Sequence, residues 1–418
     1  MNIAFFTHST YSHNLTTRPL IDTLKGTENE VYVFVDKKLE YMYSDGDYKI
    51  VFYPEVIEEE SRKIYLEYGK YFVKDYSQVA KHIDELLEDV EKPLEYVLKC
   101  DKVAKEYLME TIKELDIDII VRDTCVTFGR MIGEELNIPI IGYSTGIMYY
   151  EKHFEDNLRE NLSICYGWEL SHFSDQEIEE LYKKCQESIK ALCDKYSISK
   201  LPLFYLFDPG EKINVSFANK KLQPAIGEYK GKEYKTLTPK LFMDGDTNEY
   251  NSKEKLIYVA TGSIASHGLE FYNKVINDFK DSEYKVIISF KHADEDFIEK
   301  KNIPSNIEFQ KFPDQKEILK RASLFITHAG YNSMIEAVKY NVPMIAYPFV
   351  NDQHPNANLI NELGLGVGIK INKINEVNLK KLSEFLINNN DIKNNIKIIK
   401  KDFSNNISYE EFNRIIGV

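Results

Sequence analysis

Leu324-Phe-Ile-Thr-His-Ala-Gly-Tyr-Asn-Ser-Met-Ile-Glu-Ala-Val-Lys339 decides the fold, together with Pro343-Met-Ile-Ala-Tyr-Pro348 and Asn351-Asp-Gln-His-Pro-Asn-Ala357 behind it. The first four residues form a short apolar, β-rich run, which reads as a buried strand ending at Thr327. A tight turn through Gly330 then leads into a helical pattern that starts near Asn332. A second apolar run at 343–347 returns as the next strand. Strand, turn, helix, strand is one unit of a parallel sheet. At the helix start the amides of Asn332, Ser333 and Met334 have no carbonyl one turn earlier to pair with, so they point at whatever lies beyond the helix end. Such an end favours an anion, and a diphosphate fits it. His328 and the Ser333 hydroxyl add donors, and Glu336, one turn along, can accept from ribose hydroxyls. Taken singly, Asn332 and Ser333 also suit plain helix capping, and Glu336 a solvated helix position.

The same alternation extends outward. Strand-like runs at 256–261, 285–290, 307–310, 324–327 and 343–347 alternate with helical patterns at 269–279, 315–321, 332–340 and 355–363. Upstream, strand-like runs fall at 3–7, 30–35, 49–53, 117–122 and 138–142, with helical patterns at 101–115 and 126–136. The prediction is an α/β protein of two doubly wound, Rossmann-like domains facing a central cleft, where the strand ends of such sheets bind ligands. Residues 1–208 form the first domain and 252–402 the second. The stretch 209–251, rich in Gly, Pro, Lys and Asn, reads as a connector, and 403–418 as a helical tail that packs back on the first domain. The charged segment 58–98 carries a stripe of Ile64, Tyr65, Tyr68, Tyr71 and Phe72, expected to pack on the sheet.

Composition narrows the function. A formal net charge of −14 over 418 residues argues against nucleic-acid and anionic-membrane partners. No apolar run approaches the ~20 residues of a membrane helix, and no signal-type leader precedes the first strand. Five cysteines without C-x-x-C spacing suggest reduced thiols in a cytoplasmic protein, and no cluster has metal-like spacing. An acidic chain that binds an anion must do so through backbone amides and local dipoles.

The segment His328-Ala-Gly330-Tyr-Asn332-Ser333, Glu336, Val342-Pro343, Asp352-Gln353 and Asn356-Ala357 resembles the nucleotide-sugar signature of family-1 glycosyltransferases, in particular the bacterial macrolide-glycosyltransferase-like branch with the B-type two-domain fold. The resemblance implies that His328, Gly330, Asn332 and Ser333 hold the donor diphosphate, Glu336 the ribose, and Asp352 and Gln353 the transferred sugar. It further implies that Phe312 stacks on the donor base while Gln315 meets its edge, and that Ser263 carries a hydroxyl to the phosphates. Asp314 stands where the family has Pro, and Asn341 where it has Gly.

Displacement of a nucleoside diphosphate needs an acceptor oxygen that loses its proton, and an imidazole backed by a carboxylate suits that task. His13 follows the first strand in a loop, and Asp123 follows the strand at 117–122, so both emerge on one sheet edge. The family's Gly-His-x-x-Pro element aligns on His13, with Ser12 and Thr16 in place of Gly and Pro, and its Asp aligns on Asp123. His8 is the rival base, and Asp123 could instead cap the following helix. The implied reaction is inverting transfer of a hexose, glucose by family analogy, from a UDP-sugar co-substrate without metal or other cofactor. The acceptor would be a small apolar or phenolic molecule such as a macrolide, polyketide or flavonoid. Tyr149, Tyr150, Phe154 and Trp168 are candidates to line its pocket. A dTDP donor, an epimerase or N-acetylglucosaminyl transferase of the same fold, and a non-catalytic nucleotide-sugar-binding auxiliary protein remain alternatives. The oligomeric expectation is a monomer or homodimer.

Overall fold

A computed structural model describes residues 1–59, 62–63, 80–223, 225–243, 253–262, 268–290, 298, 302–349 and 352–417. Ser263 and the stripe from Ile64 to Phe72 lie outside the described residues.

The first sheet has eight strands: β1 (Asn2–Phe6), β2 (Glu30–Val35), β3 (Lys49–Phe52), β4 (Ile119–Asp123), β5 (Ile140–Ser144), β6 (Ile213–Ser216), β7 (Gly227–Tyr229) and β8 (Lys232–Thr236). Their order is β3-β2-β1-β4-β5-β6-β8-β7, parallel except for the β7–β8 hairpin. The second sheet is wholly parallel. Its strands are β9 (Leu256–Ala260), β10 (Lys285–Phe290), β11 (Ile307–Lys311), β12 (Leu324–Thr327), β13 (Met344–Ala346) and β14 (Gly366–Gly368), in the order β11-β10-β9-β12-β13-β14. The central strands are buried along their whole length, which is why β9 (LIYVA) and β12 (LFIT) read as unbroken apolar runs without alternation.

Both sheets therefore reverse their winding direction at one place, between β1 and β4 in the first and between β9 and β12 in the second. In an open parallel sheet the helices diverge there to opposite faces, opening a crevice at the strand ends. The helices that border these two crevices are α1 (Tyr11–Asp22), α2 (Asp84–Glu114), α3 (Phe128–Leu136), α4 (Gln315–Arg321), α5 (Tyr331–Lys339) and α6 (Gln353–Glu362).

The expected connector at 209–251 is corrected by the sheet topology. Residues 213–236 supply β6, β7 and β8 and complete the first sheet. Asn214, fully buried, bonds the Glu211 amide at 2.9 Å and the Glu211 carbonyl at 2.7 Å, which closes the turn into β6. At the other end, α7 (Tyr409–Ile415) packs Tyr409, Phe412 and Ile416 into the cluster that contains Ile3, Phe5 and Val33 of the first sheet.

Candidate active site

The first crevice is built by local sequence acting with tertiary contacts. Helix α1 begins at Tyr11, with Thr10 as its N-cap, so His13 lies in the first helical turn and not in a loop. Buried Asn14 fixes this entry: its Nδ2 donates to the carbonyls of His8 (2.5 Å) and Thr10 (2.8 Å), and its Oδ1 accepts from Tyr43 Oη at 2.8 Å. Asp123 is the last residue of β4, and fully buried. Before it, Arg122 directs its guanidinium to Glu211 (2.6 Å), to the Pro209 carbonyl (2.6 Å) and to the carbonyls of Asp123 and Thr124 (both 3.2 Å). Those bonds hold the peptide that follows Asp123.

His13 Nδ1 lies 2.7 Å from Asp123 Oδ2, and Thr145 Oγ1 lies 3.2 Å from the same nitrogen. The other carboxylate oxygen accepts the Cys125 amide at 2.9 Å. Capping and pairing thus fall to different oxygens of one carboxylate. A carboxylate at Nδ1 draws the ring proton there, which leaves the lone pair on Nε2. The His13 side chain keeps 23% of its surface exposed, against 0% for Asp123, so the imidazole faces the cleft with its anion behind it. Burial opposes a charge on His13, but the field and hydrogen bond of Asp123 outweigh it and the pKa is raised. Asp123 is held low by His13 despite its own burial. His8 behaves oppositely. Its ring lies 4.6 Å from that of His13, and burial, with His13 adding to it, pushes it down to about 4.

Across the cleft, β12 ends and Ala329 takes the left-handed conformation at φ 64°. The turn therefore bends at Ala329, whereas Gly330 has φ −60° as the N-cap of α5. Glycine at 330 answers to space. A Cβ there would stand 2.4 Å from His328 Nε2, and one on Gly262 would stand 2.6 Å from the same atom. The imidazole of His328 fills the room that two glycines leave. Met334 already donates to the Gly330 carbonyl and Tyr331 to Asp352 Oδ2 at 3.4 Å, so the amides at the open helix end are those of Asn332 and Ser333, not Met334.

Several predicted residues meet here. Gln315, at the start of α4, donates to Glu336 Oε2 at 2.7 Å and to Ser333 Oγ at 3.3 Å. Burial pushes the Glu336 carboxyl up, with the Gln315 bond and nearby Lys316 opposing it. Asp352 is pushed up by burial and accepts Asn356 Nδ2 at 3.1 Å, which also donates to the Ala329 carbonyl at 2.8 Å. Gln353 accepts the Phe349 amide at 2.7 Å. Phe312 is 65% exposed and has φ 48° in front of Pro313, a conformation that sets a large aromatic at the cleft rim.

The Asn332 side chain is turned elsewhere. Its Nδ2 donates to the Ser12 carbonyl at 3.0 Å and its Oδ1 accepts from Thr16 Oγ1 at 3.3 Å, while Tyr331 Oη donates to the Phe217 carbonyl at 2.7 Å. The two positions at which the first domain departs from the family's Gly and Pro, Ser12 and Thr16, thus both touch helix α5.

One cleft of about 1210 Å³ joins both crevices and is bordered by His13, Phe312, Gln315, His328, Gly330, Asn332, Ser333, Glu336, Asp352 and Gln353. Its first-domain side sets an apolar stretch of Leu15, Val97, Val126, Phe128, Ile147 and Phe207 beside polar and charged residues such as Asp36, Lys37, Lys38, Glu55 and Asp101. Of the four aromatics expected there, only Tyr149 borders it. Tyr150 stacks on Tyr234 at 3.7 Å, Phe154 on Tyr182 at 6.2 Å and Trp168 on Tyr166 at 4.3 Å, so these three rings, all buried, fill the core and not the cleft. Sequence reasoning missed Cys125, Thr145 and Lys316 at the cleft. Cys125 and Thr145 follow the strand ends of β4 and β5 by one or two residues, a signal available from the strand pattern alone.

Two Rossmann-like domains that face each other across their switch points define the B-type glycosyltransferase architecture. Solved structures share it: the glycotransferase of kitacinnamycin (TM-score 0.70, 18% identity, 99% of this chain and 97% of that one) and CalG4, the calicheamicin glycosyltransferase (TM-score 0.68, 15% identity, 100% and 97%). The family model for UDP-glucoronosyl and UDP-glucosyl transferases matches residues 5–198 and 226–402, and the chain belongs to that family of glycosyltransferases. Among its relatives, NDP-glycosyltransferase YjiC of Bacillus subtilis (strain 168) is 26% identical over 340 residues, 77% of each chain. The uncharacterized UDP-glucosyltransferase YojK of the same strain is 26% identical over 297 residues, 70% of each. Among the described residues, no helix is long and apolar enough to cross a membrane.

Proposed function

We propose that this chain transfers a hexose, glucose in the first instance, from a UDP-sugar to a hydroxyl of a small apolar or phenolic acceptor, with inversion and with His13 as general base. The observation that carries this reading is the 2.7 Å contact of His13 Nδ1 with buried Asp123, on the cleft wall opposite the N-terminus of α5. In a single displacement the acceptor oxygen attacks the anomeric carbon as the bond from that carbon to the β-phosphate oxygen breaks. The hydroxyl proton passes to His13 Nε2, and Asp123 stabilises the imidazolium formed. The bond electrons leave with the nucleoside diphosphate. Its developing charge meets the amides of Asn332 and Ser333, the Ser333 hydroxyl and His328, work that a metal ion does in other transferases. Glu336 accepts from the ribose once Gln315 turns to the base edge beside Phe312, and Asp352 and Gln353 meet the sugar hydroxyls. His8, with a pKa of about 4, is too weak a base to compete near neutral pH. The apolar stretch of the first-domain wall suits a macrolide-like or aromatic acceptor, and the fold neighbours named for calicheamicin and kitacinnamycin are consistent with that class. We read the chain as acting inside the cell, as a monomer or homodimer.

The test is stereochemical. Incubated with UDP-glucose and a panel of phenols and macrolides, the protein should yield a β-glucoside, read from the proton coupling at the anomeric centre. An α-glucoside would exclude a single displacement by a His13-activated hydroxyl.

A further inference from the structure

A ring nitrogen of His13, a carboxylate oxygen of Asp123 and Cys125 Sγ lie within 4.8 Å of one another at the bottom of the first crevice. We propose that this trio is a binding site for a soft divalent cation of the zinc class, and that occupancy shuts off the dyad. Imidazole, carboxylate and thiolate are the three donor types zinc prefers, and three protein ligands leave a fourth tetrahedral position for water from the cleft. Ligand atoms around such an ion stand roughly 3.3–3.6 Å apart. His13 and Asp123, now 2.7 Å apart, would separate by a fraction of an ångström, and Cys125 would close in from within 4.8 Å.

The site is organised in advance. Asp123 and Cys125 belong to one turn, closed by the 2.9 Å bond from the Cys125 amide to Asp123 Oδ1, and His13 is held by the α1 entry. The Cys125 thiol rests on the Leu206 carbonyl at 3.7 Å and is half-buried at the cleft wall. Charge balance favours the ion. On binding, the thiol proton leaves to solvent and the imidazole keeps its single proton on the nitrogen that does not bind the metal, so the cation meets one carboxylate, one thiolate and a neutral imidazole, and the buried cluster becomes uncharged. Either ring nitrogen serves this end: a metal at Nδ1 displaces the proton that Asp123 holds there, and a metal at Nε2 takes the lone pair that would receive the acceptor's proton. Metal and dyad therefore exclude each other, and the cation acts as an inhibitor.

The inhibitory consequence rests on the proposed role of His13, but the binding does not, and the experiment separates them. Cobalt(II) is titrated into the metal-free 418-residue chain. The expected result is one equivalent bound, with tetrahedral visible bands and a thiolate-to-cobalt charge-transfer band, both displaced by zinc. Cys125→Ser should lose the charge-transfer band and bind roughly tenfold or more weakly, with Cys125→Ala as the second variant if the serine protein does not fold. An unchanged band in either variant, or no band at millimolar cobalt, overturns the proposal. In the activity arm, zinc should suppress nucleoside diphosphate release by the wild type and spare a Cys125→Ser enzyme of near wild-type turnover. Equal inhibition of both would likewise overturn it. A cobalt site in a chain without transferase activity would leave the metal site standing and remove the functional reading instead.

Discussion

At the scale of single residues, the cleft separates two histidines that sequence alone treats as rivals. Both follow β1, and their rings are 4.6 Å apart, yet only His13 has an anion behind it. Burial, with the neighbouring His13 adding to it, keeps His8 neutral, whereas the buried carboxylate at Nδ1 turns His13 into a stronger base. The sign has a consequence. With its pKa raised, His13 is in the basic form only above that raised value, so activity should fall on the acid side at a higher pH than an ordinary histidine would give. Asp123→Asn removes the charge that favours the imidazolium, so the His13 titration, followed by NMR at the ring carbon, should move to lower pH. An unchanged or higher value would show that Asp123 does not set the basicity. The same residues mark where sequence reading stops. Asp123 is legible as the end of a strand, but that one of its oxygens caps Cys125 while the other holds His13 is a three-dimensional fact. Cys125 as a third donor is equally invisible, because the His13 nitrogen it approaches lies more than a hundred positions away.

At the scale of elements, the strand–turn–helix from Leu324 to Lys339 is legible because it obeys two local rules at once: a fully buried strand, then a helix entry among small residues. The α1 entry is not, since Ser, Thr, Tyr, His and Asn are all indifferent helix formers and the turn is imposed by Asn14 and Tyr43. Strands β6 to β8 escape for a different reason. They run to only three to five residues each and carry Gly and Lys, so they look like a linker until they pair. The tight fit of His328 between Gly262 and Gly330 gives an element-level prediction. Gly330→Ala puts a Cβ 2.4 Å from His328 Nε2, closer than the two atoms can stand, and the ring must move. The protein should still fold, at a cost of ~1–3 kcal/mol. UDP binding, measured by calorimetry, should weaken roughly ten- to a hundredfold through loss of a charge-assisted contact. UDP affinity equal to that of the wild type would remove His328 from the diphosphate site.

At the scale of the molecule, two sheets with no strand in common are joined at their working edges. Helix α5 reaches the first domain through Tyr331 and Asn332, and the chain returns after the second sheet to seat α7 on the first. Beside this return, Ile407 donates its amide to the Thr236 carbonyl at 3.1 Å, at the end of β8. Phe412 has no exposed surface, and Phe412→Ala should cost ~3–5 kcal/mol. Because the helix it anchors lies beyond the second domain in sequence but in the first domain's core, the loss should appear in the first domain's unfolding. Denaturant unfolding of the first domain at wild-type stability would show that the tail contributes little to it.

The central claim is that His13 takes the acceptor's proton. Acceptor-dependent release of nucleoside diphosphate from UDP-glucose, compared between wild type and His13→Ala at saturating donor, tests it most directly. The account predicts a fall of about 10²–10⁴-fold in turnover with UDP affinity unchanged. Turnover within a fewfold of the wild type would contradict it.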